Sequence, residues 1–351
     1  MAYTTIDDPT AYFQTTLYNG NNGTQTITHT GHSDLQADWI WGKARNDTAQ
    51  HFLIDSVRGV SKRLKSNNAD AEATVSTGIT AIGSNSFSLG NDGDFNDGVV
   101  NYASWNWKAG TSFTNDASAT GIGTIDSTGS ASTAAGFSIV SYTGTGSAGT
   151  IKHGLSSIPK MIIMKTRSTS NIWSVYHVGL GNTKYIQLNE PDPPTDNDTY
   201  WSDTTPTSSV FSVGTASGVN GNGTTNIAYC FADVQGYSKM GSYTGNGSGP
   251  NGPFIYLGFK PAFVMFKRAN STGAWSMQDN KRTPFNEGNK ALFANTNAAE
   301  STSDNSMDFV SNGFRVRTDT SNYNTSGGTY IFMAFAENPF TTSSGVPACA
   351  R

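Results

Sequence analysis

Three apolar blocks recur along the chain, and each of them ends in a lysine. The blocks are "ADWIWGK" at 37–43, "PKMIIMK" at 159–165 and "PAFVMFK" at 261–267. Apolar residues occupy consecutive positions in these blocks, which is typical of a strand that is buried on both faces. We therefore expect each block to form a central strand of a β-sandwich or of a closed, barrel-like sheet.

The sequences around the blocks recur in the same order. A motif rich in Tyr and Gly precedes each block, as "YNGNNGTQTI", "YTGTGSAGTI" and "YTGNGSGPNG". A short strand-like run follows each block, as "HFLID", "WSVYH" and "WSMQD", and each unit closes with two more strand-like runs around a polar gap. This order predicts an all-β protein of three tandem antiparallel β-sandwich-like repeat domains.

The repeats also set the predicted domain boundaries. Residues 111–136 are rich in Gly, Ser and Thr and have no counterpart between the later repeats, so they are predicted to be a connector with one short strand. Residues 1–17 are predicted to form an N-terminal attachment arm, with a disordered terminus as the alternative. Residues 341–351 are predicted to be a C-terminal tail. The predicted repeat domains are 18–110, 137–236 and 237–340.

Composition argues against several classes of function. Charged residues make up 14% of the chain, the net charge is −4, and the basic residues are scattered. We therefore predict no nucleic-acid partner and no membrane insertion. Cys230 and Cys349 have the spacing of neither a disulfide framework nor a metal site, and Cys230 is predicted to be a buried apolar side chain. The first residues lack the features of a signal peptide, which predicts synthesis in a cytoplasm.

An acidic stretch, "GNDGDFNDG" at 90–98, has the alternating oxygen-bearing side chains of a calcium-binding loop. The matching stretches of the other repeats carry Asn and Ser in place of the carboxylates, and Ala103 stands where such a loop needs an acidic ligand. Asn, Asp and Gly also favour tight turns. We therefore predict a hairpin turn without a bound metal.

Candidate catalytic residues do not recur among the repeats. His177 falls where the other two repeats have Asp55 and Asp279, and no carboxylate occupies the same place in all three. The sequence has no nucleophile elbow, phosphate-binding loop, dinucleotide fingerprint or zinc-protease motif. A carboxylate pair for glycoside hydrolysis stays open, because its separation is a three-dimensional quantity. The sequence therefore predicts no catalytic residues, no cofactor and no enzymatic activity.

Aromatic side chains beside polar residues can stack on sugar rings, so the tryptophans are candidates for a binding surface. Trp107 and Trp201 have no apolar counterpart in the other repeats and are predicted to lie near surface loops. The tryptophans that match apolar residues elsewhere are predicted to be core: Trp41, Trp105, Trp173 and Trp275.

Two long polar loops are expected to carry the contact surface, because loops on a rigid scaffold change without disturbing the core. The loop 188–209 holds Tyr200 and Trp201, and the loop 284–305 holds Phe285 and Phe293. The alternative is two solvated connections, with Trp201 packed against its own sandwich.

Several of these motifs resemble a repeat domain that is widespread in virion proteins of marine tailed phages. They are "GFSIVSYTGTGSAGTIKHGLSSIPKMIIMK", "WSVYH", "YCFADVQGYSKMGSYTGNGS" and "TYIFMAFAENPF". The resemblance covers 137–340, whereas 18–110 match only through the internal alignment. It implies a bacteriophage virion structural protein without catalytic residues.

Within that class two functions remain open. The first is a short tail fibre or tail-tip adhesin that contacts the host surface, and the alternative is a capsid decoration or head-fibre protein. The implied partners are other virion proteins and a host cell-surface glycan or protein, and the implied location is the virion. By analogy with phage fibres and spikes we expect a homotrimer, whose repeated weak contacts would add through avidity.

Overall fold

A computed structural model describes residues 2–304 and 306–348 and shows a chain built mainly from antiparallel strands. Strands account for 42% of the residues and helices for 6%, so the all-β prediction is confirmed. Cys349 lies outside the described residues. We divide the chain into segment one (13–110), segment two (111–236) and segment three (237–340).

The strands of segment one are β1 Phe13–Asn19, β2 Gln25–Thr28, β3 Trp39–Ala44, β4 Phe52–Asp55, β5 Lys62–Arg63, β6 Ala73–Thr74, β7 Ile79–Gly83, β8 Ser86–Leu89 and β9 Asn101–Trp107. Those of segment two are β10 Thr111–Asn115, β11 Ser127–Ser132, β12 Phe137–Thr143, β13 Gly149–Lys152, β14 Met161–Thr166, β15 Trp173–His177, β16 Lys184–Gln187, β17 Thr195–Asp196, β18 Val210–Val213 and β19 Thr225–Phe231. Those of segment three are β20 Ser238–Thr244, β21 Phe254–Tyr256, β22 Phe259–Arg268, β23 Ser276–Asp279, β24 Leu292–Phe293, β25 Met307–Val310, β26 Gly313–Val316 and β27 Thr329–Pro339. The helices are short: α1 Gly93–Asn96, α2 Ala117–Thr120, α3 Asp198–Trp201 and α4 Ser217–Asn220, with 3₁₀ turns η1 Pro9–Ala11 and η2 Val178–Leu180. None of the helices in the described part of the chain is long and apolar enough to cross a membrane.

Each segment contains a main sheet with the same strand order. The order is β1-β9-β3-β4 in segment one, β12-β19-β14-β15 within the larger sheet of segment two, and β20-β27-β22-β23 in segment three. A smaller sheet accompanies each of them: β2-β8-β7, β13-β18 and β21-β26-β25. The three segments therefore share a strand order, while their descent from one repeated sequence stays a prediction.

Both faces of each main sheet are buried, as the consecutive apolar positions predicted. In β14, Ile162 and Met164 face a cluster that the smaller sheet of segment two completes, with Phe211 among its members. Ile163, between them, faces the opposite side, because successive side chains of a strand alternate. The outer faces of the other two main sheets pack in the same way against their own smaller sheets.

The inner faces of all three main sheets meet in one central cluster. Trp39 of segment one stacks on Tyr229 of segment two, with 4.3 Å between ring centroids. Phe263 of segment three lies 5.7 Å from Trp105 of segment one. Aromatic pairs at such distances contribute about 0.5–1.5 kcal/mol each beyond the area that they bury. The segments thus share a core, which the division into separate domains did not predict.

The N-terminal residues are part of this body, so the predicted attachment arm is wrong. Phe13 pairs with Trp107 in the main sheet of segment one and is buried in the central cluster. Ile6 is also buried there, and the Thr4 hydroxyl donates a hydrogen bond to the carbonyl of Gln235, at 2.8 Å. Aromatic and apolar side chains near the terminus cover the shared core instead of projecting from it.

The predicted connector and the predicted hairpin also differ from the structure. Residues 111–136 contain two strands, β10 and β11, and β11 pairs with β12, so the connector extends the main sheet of segment two. The acidic stretch 90–98 is not a hairpin, because it joins β8 of the smaller sheet to β9 of the main sheet through α1. Asp92 caps this single helical turn by accepting from the amide of Asp94, at 3.0 Å.

Candidate functional site

Three of the five predicted contact residues are buried. The exposed fraction of the side chain is 1% for Trp107, 2% for Trp201 and 8% for Tyr200. The Trp201 indole donates to the carbonyl of Lys184 at 3.0 Å, and the Tyr200 ring stacks on Tyr185 with 3.6 Å between centroids. The prediction that these three side chains form a contact surface is therefore wrong. The tryptophans predicted to be core are confirmed as core.

The other two predicted contact residues, Phe285 and Phe293, differ in their exposure to solvent. Phe293 is partly buried in β24, and its carbonyl accepts a hydrogen bond from Nε2 of His51, at 3.0 Å. Phe285 is 75% exposed. Both long loops reach neighbouring segments, since Glu300 binds Arg45 and the carbonyl of Pro191 accepts from Lys267. Of the predicted contact residues, Phe285 alone presents most of its ring to solvent.

The segments meet at three junctions, and a buried ion-pair network holds the junction between segments one and two. Asp55 binds Arg58 at 2.5 Å, Arg58 binds Glu72 at 3.1 Å, and Glu72 binds Arg167 of segment two at 2.8 Å. The Tyr229 hydroxyl donates to Asp55 across the junction, at 2.7 Å. Burial alone would raise the pKa of Glu72, but the hydrogen bonds and positive charges of Arg167 and Arg58 outweigh it and lower that pKa.

The junction between segments three and one repeats this network with other residues. Asp279 binds Arg282 at 2.5 Å, Arg282 binds Glu300 at 3.1 Å, and Glu300 binds Arg45 of segment one at 2.9 Å. The Trp105 indole takes the place of the tyrosine and donates to Asp279, at 3.0 Å. These residues are structural, because their polar atoms are committed to one another inside the protein.

The junction between segments two and three is neutral at the matching position. His177 stands where the other segments have an aspartate, and Leu180 stands where they have the arginine. The imidazole accepts from the amide of Gly179 through Nδ1, at 3.0 Å, so Nε2 carries the proton and donates to the carbonyl of Phe332, at 3.0 Å. Burial lowers the pKa of His177 to about 4, which keeps the ring uncharged.

The lysine that ends each apolar block is buried as well. In each case the ammonium donates to the carbonyl of the residue that follows it, at 2.7 to 2.8 Å. Burial lowers the pKa of all three ammonium groups to about 8: Lys43, Lys165 and Lys267. These recurring lysines are buried at positions that support the backbone, so they do not offer a catalytic base to solvent.

Sequence reasoning missed the arginines of the two networks. Their signal is the spacing of an aspartate and an arginine three residues later, in "DSVR" at 55–58 and in "DNKR" at 279–282. The same spacing is absent from segment two, which has "HVGL" at 177–180. An aspartate followed three residues later by an arginine therefore identifies the two charged junctions, because only the two segments with an ion-pair network have this motif at the aligned position.

A groove of about 680 Å³ surrounds Phe285 at one end of segment three. Asp279 accepts from the amides of Lys281 and Arg282 and so fixes the start of the loop that carries Phe285. The Asn286 side chain fixes the loop on the other side, because it both donates to and accepts from the backbone of Phe309, each at 2.9 Å. Two anchors thus fix the loop that presents this exposed aromatic ring.

The groove combines this ring with a charged pair. Lys260 and Glu337 form an ion pair of 2.7 Å in its lining, and their side chains are 31% and 33% exposed. The side-chain oxygens of Asn280 and Thr283 have no hydrogen-bond partner within the described residues, but they are buried beneath the lining. An exposed ring face beside accessible charged groups fits a ligand with both C–H faces and hydroxyl groups.

The described residues contain no group of three or more His, Cys, Asp or Glu side chains placed to hold a metal ion. Within the acidic stretch, Asp94 pairs with Arg63, and the amide of buried Asn96 donates to the carbonyl of Gly90, at 2.8 Å. The matching asparagines of the other segments, Asn220 and Asn324, are buried and make similar bonds to the Tyr- and Gly-rich motifs. The polar side chains of the acidic stretch are therefore explained by the bonds that stabilise its turn.

Comparison with protein families gives a match over nearly the whole chain. A family model matches residues 8–339. The chain belongs to the family described as "Domain of unknown function (DUF7483)". The match to DUF7483 starts before β1 and ends with the last residue of β27, so it includes all three segments and their shared core. No curated protein matches the sequence.

Proposed function

We propose that this chain is a bacteriophage virion structural protein, acting as a short tail fibre or tail-tip adhesin without enzymatic activity. The supporting observation is the groove around Phe285, which presents an anchored aromatic ring on a scaffold whose other large side chains are mostly buried. The resemblance of residues 137–340 to phage virion repeats points to the same role. The ligand that we propose is a host-surface glycan.

Rigidity of the scaffold suits this role. The buried networks at two junctions and the central aromatic cluster hold the three segments together, so the groove does not need to form when the ligand arrives. A pre-formed site avoids part of the entropy cost of binding. A virion carrying several copies would add these weak contacts through avidity. The homotrimer expected for such a fibre stays a prediction, which native mass spectrometry tests.

The binding role is tested by comparing two exposed phenylalanines of segment three. Phe285→Ala removes the ring of the groove, and Phe254→Ala removes a ring that is 50% exposed on β21, outside the groove. On a glycan array we expect wild type and Phe254→Ala to bind the same glycans and Phe285→Ala to bind them about tenfold more weakly. Equal binding by the two variants would contradict the proposed site.

The location is tested by counting copies in purified virus particles with quantitative mass spectrometry. A few tens of copies or fewer per particle supports the tail assignment. Hundreds of copies would assign the protein to the capsid surface, which is the alternative role. Absence from the particle would contradict both.

A further inference from the structure

The three main sheets differ at their first strand. In segment two the free edge of β12 is covered by β11, which pairs with it from Phe137 to Tyr142. In segment three the matching strand, β20, is the last strand of its sheet: β27 pairs with one side of it, and on the other side Ser238 is bridged to Val234. In segment one β1 is also the last strand of its sheet, and its first four residues are buried. The ends of β1 and β20 are both exposed, and β20 differs from β1 in the cleft that it borders.

The backbone bonds show which groups of β20 face outward. The amide of Gly245 bonds to the carbonyl of Gly328, and the amide of Ala336 bonds to the carbonyl of Tyr237, so the odd-numbered residues between them bond to β27. Met240 and Ser242 therefore direct their amides and carbonyls away from the sheet. The amide of Met240 is capped by Asp233 at 2.8 Å, whereas Ser242 and Thr244 are exposed.

Segment two shows what such an edge accepts. The residues of β12 that match Met240 and Ser242 are Ile139 and Ser141, which pair with Ser130 and Thr128 of β11. The sequence of β11 is "STGSAS", so its side chains are small and mostly hydroxyl-bearing. Small side chains let a strand lie close to an existing edge where space beside the sheet is limited.

The open edge borders a cleft of about 630 Å³ at the neutral junction. Ser242 and Thr244 line one side together with Thr329 and Ile331 of the neighbouring strand β27. Segment two lines the other side with Lys184 and with Pro193 and Pro194. The prolines have no amide hydrogen with which to pair. Lys184 is the one charged residue among the cleft's lining residues, and it favours a carboxylate on the occupant.

We propose that β20 binds an extended segment of another polypeptide, which adds as a further antiparallel strand along Met240 to Thr244. The segment carries small or hydroxyl-bearing side chains and a carboxylate that reaches Lys184. Main-chain hydrogen bonds to Ser242 and Thr244 supply affinity, and side-chain contacts with the lining of the cleft supply selectivity, as in other cases of strand addition. Within this chain, β11 covers the matching edge of β12 and has this character. Its side chains are small and mostly hydroxyl-bearing, and Asp126 directly precedes it. This surface is separate from the groove of Phe285.

The probe is a fluorescein-labelled peptide with the sequence of residues 125–134, "IDSTGSASTA". In the register of β11 it places Thr128 opposite Ser242 and Asp126 near Thr244, beside Lys184. Fluorescence anisotropy with the full-length protein should show saturable binding. Ser242→Ala keeps the outward amide and should bind like the wild type. Ser242→Pro removes that amide and should bind at least tenfold more weakly, because proline cannot donate to an added strand.

A stability control separates loss of binding from loss of folding. The amide of Ser242 does not bond to β27, so Ser242→Pro should leave the melting temperature within a few degrees of the wild type. Ser141→Pro, at the matching covered position, should lower it clearly, because that amide bonds to β11. If Ser242→Pro does not fold, disulfide trapping replaces the anisotropy experiment. The Ser242→Cys protein should form a disulfide with a peptide that carries Thr128→Cys. It should react more slowly with a control peptide that carries Ser127→Cys and Thr128→Ser, because that cysteine is one position out of register.

The binding experiments would overturn the proposal in three ways. The wild-type protein could fail to bind the peptide saturably, it could bind it no better than the Ser242→Pro variant does, or the two cysteine peptides could be trapped at equal rates. A dimer in sedimentation experiments would also overturn it, if Ser242→Pro abolishes the dimer and the peptide does not compete with dimer formation. That outcome would assign the edge to a second copy of this chain.

Discussion

The two charged junctions can be compared with the neutral one, because all three join matching strands of the same molecule. At the charged junctions, an aspartate, an arginine and a glutamate lead to an arginine on the adjacent segment. At the neutral junction, His177 makes one hydrogen bond to Phe332, and Lys267 bonds to the carbonyl of Pro191. The same packing can thus be held by a network of buried ion pairs or by hydrogen bonds to backbone carbonyls.

The difference teaches where the molecule is sensitive. A buried ion pair adds little net stability compared with apolar packing, but removing one of its partners leaves a charge without compensation. The neutral junction has no ion pair at the matching position, so no single substitution there leaves such a charge unpaired. A cleft of about 630 Å³ also lies at this junction, between segments two and three. Two junctions are therefore sensitive to the loss of a single charged residue, and the third borders a cleft instead.

The largest effect should come from removing one arginine of a charged network. Arg58→Ala leaves Asp55 and Glu72 buried beside each other, so we expect a loss of about 3–5 kcal/mol in the free energy of unfolding. Leu180→Ala changes the matching residue of the neutral junction and should cost about 1 kcal/mol. Urea denaturation of both variants measures the two losses. Similar losses would show that the networks do not differ from the neutral junction.

A smaller effect should follow acidification, and it acts on the neutral junction. Burial holds the pKa of His177 at about 4 in the folded state, below its ordinary value of 6.5. The unfolded chain therefore binds the proton first, so stability is complete above pH 6.5 and falls as the pH drops towards 4. For one such histidine the loss is about 3 kcal/mol.

The contribution of His177 can be isolated from that of the other buried histidines. His177→Gln should reduce the dependence of the melting temperature on pH between 6.5 and 4, because glutamine does not titrate. His32→Gln is the matched control, since the His32 side chain is 91% exposed. An unchanged pH dependence in His177→Gln would mean that this imidazole does not report on the junction.

The smallest expected effect is a difference in hydrogen exchange between the junctions. Backbone hydrogen bonds cross each of them, including those from Glu72 to Arg167, from Glu300 to Arg45 and from Gly273 to Pro191. The amide of Gly273 should exchange faster than those of Glu72 and Glu300, because no ion-pair network holds its surroundings. Exchange measured by NMR or mass spectrometry checks this order. Equal protection would indicate that the segments open together.

Much of the local structure followed from the sequence. The consecutive apolar residues of "MIIM" and "FVMF" predicted strands buried on both faces, and Ile162 and Ile163 indeed face different cores. Repeat alignment placed Trp173 and Trp275 inside, and the apolar run around Cys230 predicted that this side chain is buried as well. These predictions succeed because burial on both faces forces an apolar residue at every position of a strand.

The candidate site was predicted only in part. Phe285 was placed correctly on an exposed loop, but Trp201 and Trp107 were expected near the surface because they lack apolar counterparts. Trp107 covers the end of the central cluster, where the other two segments contribute Phe231 and Phe335. In the observed strand register Trp107 is itself the equivalent of Phe231 and Phe335, because these three residues lie opposite matching positions of the central strands. The sequence alignment matched Trp105 to the two phenylalanines instead, two positions away, and so left Trp107 without a counterpart.

The sequence by itself determined that this protein is all-β, where its central strands lie and which of their residues are buried. These properties depend on neighbours within a few positions along one strand, so they leave a periodic pattern. Only the tertiary structure decided that the inner faces share one core, that two junctions carry charge, and that the edge of β20 stays open. Those properties depend on contacts between residues more than a hundred positions apart, such as Asp55 and Tyr229, and such contacts leave no local pattern to read.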